Sequence, residues 1–108
     1  MIPITNARNL DNVLTSTELP VKIFYNSIWD KISNDLYAEI DESFLNNGEN
    51  TDNIYSIDSW NFPEAFPRFG INKVPALVIV GDKKTTVLDH PTRIRKYFSL
   101  SRDKSKYR

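Results

Sequence analysis

"FGINKVPALVIV", residues 69 to 80, decides how this chain of 108 residues is read. "PALVIV" is the clearest strand signal in it, a continuous apolar run rich in β-branched side chains and introduced by Pro75. Just upstream, "PEAFPRF" reads as a short helix. Pro63 suits its first turn, where a missing amide hydrogen costs little, and Pro67 should cut it short or bend it. Downstream, "GDKK" is a turn and "TTVLD" returns as an antiparallel partner strand.

Working outward, "VKIFYN" at 21 to 26 is a second strong strand, with apolar residues on both faces in its second half. A strand of that kind lies at the centre of a sheet covered on both sides. "IPIT" at 2 to 5 reads as a short strand, kept short by Pro3. "NARNLDNVLTS" reads as a helix capped by Asn6, with Ala7, Leu10, Val13 and Leu14 on one face. From Ile28 a further helix is expected, because Trp29, Ile32, Leu36, Ile40 and Phe44 recur at spacings of three and four. "NNGEN" at 46 to 50 ends it, with Gly48 suited to a left-handed turn. "NIYSID" at 53 to 58 alternates as a strand, and Pro91 opens a last helix carrying Ile94, Tyr97 and Phe98. Strands alternating with helices demand right-handed crossovers and a largely parallel sheet, to which the terminal hairpin adds an antiparallel edge. The expected class is α/β, a central mixed β-sheet with helices on both faces. One domain spans 1–100, and 101–108 is a basic C-terminal tail.

Composition closes several routes. There is no cysteine, which removes disulfides, thiolate nucleophiles and cysteine metal sites. Three glycines and no Gly-x-Gly-x-x-Gly or Walker pattern leave no phosphate cradle. With one histidine there is no metal-ligand cluster either, so no metal and no cofactor is expected. "MIPITNARNL" lacks the features of a secretory leader, and "VPALVIVG" is too short to span a bilayer; a cytoplasmic protein is expected. Abundant Asn, Lys, Ile and Asp hint at an AT-rich genome, such as a low-GC bacterium or its phage. Formal charge is zero, but it is unevenly spread. Arg93, Arg95, Lys96, Arg102, Lys104, Lys106 and Arg108 face only Asp103 in the last 17 residues, and the remaining 91 carry 7 basic and 13 acidic groups.

The element order, together with Phe69-Gly70-Ile71, Val74-Pro75 and "ALVIV", resembles the thioredoxin family. "ID" at 57 to 58, Pro67 and the strand "VKIFYN" also match, so the resemblance covers roughly residues 2 to 98. It implies a thioredoxin-like fold in which Pro75 is a cis-proline and the backbone of Val74 pairs with an extended client peptide. In the family that strand runs into Trp-Cys-x-x-Cys at the start of the helix. Aligned on "FY", the cysteines fall at Trp29 and Ile32, and a buried proton-carrying Asp falls at Ile23. All three redox groups are absent together, and disulfide exchange needs a thiolate to attack and a second thiol to resolve.

The resemblance therefore implies a redox-inactive member, not an enzyme, that contacts a polypeptide through Ser27, Ile28, Trp29, Asp30, Val74, Pro75 and His90. Trp29 carries two readings: an exposed anchor for a partner, or part of a packed stripe Trp29-Ile32-Leu36, which the continuous periodicity favours. Ser27 and Asp30 suit helix capping, and His90 before Pro91 suits a loop or cap. Two rival functions come from other classes. One is an enzyme with non-thiol chemistry using Ser27, Asp30 or His90, although no base stands at an interpretable spacing. The other is a structural or nucleic-acid-associated protein that docks through its basic end, with a steep salt dependence.

Overall fold

The computed structural model describes residues 1–100. Five strands, β1 (Ile2–Pro3), β2 (Val21–Asn26), β3 (Ile54–Asp58), β4 (Ala76–Val80) and β5 (Thr85–Leu88), form one mixed sheet in the order β1-β3-β2-β4-β5. β1 and β2 both run parallel to β3, while β4 is antiparallel to β2 and β5 to β4. The expected mixed α/β sheet is present. β2 lies at its centre, and Ile23, Phe24 and Tyr25 are fully buried because both faces are covered.

Alternation along β2 splits the core in two. Val21, Ile23 and Tyr25 join Leu10 and Val13 of helix α1 (Ala7–Ser16), together with Phe62, Ala65 and Ile71, on one face. Phe24 joins Leu36 and Ile40 of α2 (Lys31–Asn46) and Ile94 of α3 (Pro91–Tyr97) on the other. The segment around Pro67 is two 3-10 turns, Pro63–Ala65 and Pro67–Phe69, instead of one helix, and the second closes on Gly70 at φ 71°. That left-handed value is one that glycine adopts without a Cβ penalty. The buried Tyr25 hydroxyl donates to the Ala65 carbonyl at 3.2 Å, tying the central strand to this segment. Burial pushes its pKa from 10.0 to about 12, with Arg68 pulling the other way.

One expectation needs correction. Helix α2 begins at Lys31, not at Ile28, with Asp30 as its N-cap. The stripe that packs is Ser33, Leu36 and Ile40. Trp29 precedes the helix in an irregular turn and is 73% exposed. Ile32 lies about 100° around the helix from Ser33 and is 56% exposed. The packed stripe Trp29-Ile32-Leu36 does not form.

Candidate functional site

Sheet topology gathers the chain's unusual surface at one edge. β2 and β3 are parallel, so Asn26 and Asp58, which are register partners, both end there. β4 runs the other way, so it begins there, with Ala76 opposite Tyr25. β5 returns to the same edge through Leu88 opposite Leu77. The turn 27–30, the turn 59–62, Val74–Pro75 and Asp89–His90 therefore crowd the end where the strand order reverses, a common place for binding in open α/β sheets.

Each turn is held by polar groups placed for it. The Ser27 amide donates to Ser33 Oγ at 3.2 Å, and that hydroxyl donates back to the Asp30 carbonyl at 3.1 Å. Ser33 is fully buried, so it clamps the turn from below. Asp30 Oδ2 accepts the Ser33 amide at 2.8 Å, an N-cap bond. Ser27 Oγ accepts the Trp29 amide at 3.2 Å, and Asn34 Nδ2 reaches the Ile28 carbonyl at 3.0 Å. On the neighbouring loop, Asp58 Oδ1 accepts the Trp60 amide at 2.9 Å, while the Ser59 amide crosses to the Asn26 carbonyl at 2.8 Å. The last of these bonds joins the two loops.

What the clamped turns display is apolar. Trp29 and Trp60, the only tryptophans in the chain, meet edge to face with ring centroids 5.9 Å apart and planes at 83°. Trp60 is 65% exposed, and Ile28 and Ile32 are exposed with it. Such an aromatic pair is a costly surface unless covered. Trp60 carries no periodic signal in the sequence. Its signal is parallel pairing, which brings the loop after β3 beside the loop after β2.

The remaining candidates divide. Ser27 is buried, and its hydroxyl is engaged in the turn. Val74 is half-buried and Pro75 is buried; the peptide between them is cis. His90 is exposed and caps α3, its Nδ1 accepting the Thr92 amide at 3.1 Å. Among the described residues no hydrogen bond joins His90 to Ser27 or Asp30, so no nucleophile–base pair is assembled. No three His, Cys, Asp or Glu side chains among the described residues come together as a metal site, and no helix among them is long and apolar enough to cross a membrane.

The basic end is also redistributed. Arg95 makes a two-pronged ion pair with Glu39 of α2, at 2.9 and 3.0 Å, which holds its proton more tightly. Its role is to tie α3 to α2, while Arg93 and Lys96 stay exposed. Arg102, Lys104, Lys106 and Arg108 lie outside the described residues.

No family model matches the chain, and no curated protein matches it. Solved structures do. Thioredoxin from Fasciola hepatica superposes with a TM-score of 0.73 at 14% identity, covering 92% of this chain and 97% of that one. Thioredoxin from Plasmodium falciparum gives 0.71 at 11%, with 92% and 97% covered. That from Trypanosoma brucei brucei gives 0.69 at 11%, with 92% and 88% covered. At the start of α2 the cap is Asp30, and Ser33 is the buried residue one turn on. The chain has the thioredoxin fold and no cysteine anywhere.

Proposed function

We propose that this protein is a redox-inactive binding module that receives a segment of a partner polypeptide at the edge formed by Ile28, Trp29, Ile32 and Trp60, beside Val74. The observation that carries this reading is the exposed tryptophan pair on two hydrogen-bonded turns, the first of them clamped from below by buried Ser33. Tryptophan is enriched among the residues that dominate interfaces, and a rigid platform loses little entropy when a partner lands on it. The half-buried Val74 lies two residues before β4, and the resemblance implies that its backbone pairs with an extended segment. Pro75 and Ser27 are buried, so they shape the edge without touching the partner.

The absence of cysteine removes covalent capture, and the polar groups at the edge are engaged in caps and turns. Contact without chemistry is the reading they support. Random dodecapeptides displayed on phage and selected on the whole protein test it. Because both tryptophans of the chain lie in the patch, fluorescence reports binding directly. Selected peptides should shift the emission of the wild type, and a folded Trp29→Ala/Trp60→Ala variant, which has no tryptophan of its own, should lose them by at least about tenfold when binding is read from the polarisation of dye-labelled peptide. Binding that survives this double substitution would reject the proposal.

A further inference from the structure

Resting on the proposed binding role, we infer that the patch selects a partner segment carrying an arginine, whose guanidinium enters the corner between Trp29 and Trp60 and is met there by Asp30 and Asp58.

Two indole planes at 83°, each side chain exposed over most of its area, make a right-angled corner. Cations are drawn to aromatic faces, tryptophan being the best of the aromatic side chains for this. Each wall of the corner brings its own carboxylate. Asp30 follows Trp29 directly, and Asp58 begins the turn that carries Trp60. Both carboxylates are oriented by the backbone. Asp30 uses Oδ2 for the Ser33 amide and Asp58 uses Oδ1 for the Trp60 amide, so each keeps its second oxygen for another donor.

The charge at this edge is not balanced from within. Two lysines stand nearby: Lys31 turns along the helix to Asp35 at 2.7 Å, and exposed Lys73 precedes Val74, so Asp30, Asp35, Asp58 and Asp89 still outnumber them. Among the described residues the ion pairs engage Asp11, Asp35, Glu39 and Asp41, but neither Asp30 nor Asp58. Asp89 adds a third carboxylate, fully exposed where Asp30 and Asp58 are half-buried, at the point where β5 returns to the same edge. An aromatic corner in a local excess of negative charge complements a flat cation. A guanidinium stacks on an indole while its rigid fork donates to two acceptors, which an ammonium cannot do together.

The peptides selected on the whole protein supply the probe. Arginine should be enriched in them, and each should be resynthesised with citrulline, which keeps the planar shape but removes the charge. Citrulline should weaken binding about tenfold or more, as should Asp30→Asn together with Asp58→Asn. Both asparagines retain an oxygen for the backbone amide, so the turns stay capped. Raising salt from low to high should weaken the arginine peptide and leave the citrulline form unchanged. Peptides that need the tryptophans but bind equally with citrulline would overturn this inference and leave the binding role standing. Failure to select any peptide, or binding indifferent to Trp29→Ala/Trp60→Ala, would overturn both.

Discussion

Replacing Ser33 by alanine tests whether the exposed turn is clamped from inside the fold. The hydroxyl is fully buried, accepts the Ser27 amide at 3.2 Å and donates to the Asp30 carbonyl at 3.1 Å. Alanine removes both bonds and leaves a buried amide without a partner, which costs about 1–3 kcal/mol. For a domain of this length, a loss of about 2 kcal/mol lowers the thermal midpoint by roughly 8 °C. The neighbouring Ile32→Ala is the control. Ile32 is 56% exposed, and surface changes of that kind stay within about 0.5 kcal/mol. Urea unfolding followed by circular dichroism gives both values, and the fluorescence anisotropy of the tryptophans reports whether the turn has loosened. Ser33→Ala should be clearly the more damaging and should lower the anisotropy. If Ile32→Ala costs as much or more, the helix start and the clamp are both misassigned.

Other expectations follow from the same geometry. Asp30→Cys with Ser33→Cys should form an intramolecular disulfide faster in oxidised glutathione than Trp29→Cys with Ile32→Cys, by mass spectrometry, because only the first pair occupies the cap and the buried turn beneath it. Arg95→Met should destabilise the α2–α3 packing by about 1 kcal/mol in urea unfolding, since it leaves Glu39 without its two-pronged partner. Tyr25 has a folded pKa raised from 10.0 to about 12 by burial. Its contribution is therefore complete below pH 10 and is lost as pH rises from 10 through 12, because the unfolded chain releases the proton first. Unfolding curves of wild type and Tyr25→Phe should diverge in slope across that interval, and parallel curves would show that the hydroxyl is not buried.

Strands β2 and β4 are legible in the sequence because both are apolar runs too short for helices, and strand–helix alternation through the first three strands fixes the parallel pairings with β3, but not the antiparallel pairing of β4 with β2. The caps Asn6 and His90 are legible too, since a polar side chain just before a helical apolar pattern has few other roles. The start of α2 is not. Trp29, Ile32 and Leu36 have helical spacing, but spacing carries no information on whether a sheet lies beneath each position, and at the edge none does. Trp60 escapes because it sits in a non-periodic turn and gains meaning only from Trp29, 31 positions earlier in the chain. Arg95 reads as one more positive charge until the fold brings Glu39 to it from 56 positions away. In each case the missing information is tertiary.

Energetics constrain how the edge can work. A fully covered tryptophan buries about 250 Å² at most, so covering what remains exposed on Trp29 and Trp60 removes roughly 300 Å² from water. At about 25 cal/mol per Å² that is about 8 kcal/mol before costs. Association of two chains costs about 4–15 kcal/mol in lost freedom. Apolar contact at the tryptophans therefore roughly cancels the cost of meeting and leaves little net affinity. A partner that stays bound must add a second source, either strand pairing at Val74 or a charge placed between Asp30 and Asp58. The buried hydrogen bonds beneath the turns lower the other side of the balance, because side chains already fixed lose little freedom when covered. This is why Ser33, which no partner touches, is expected to matter to binding: loosening the turn makes each complex order it again.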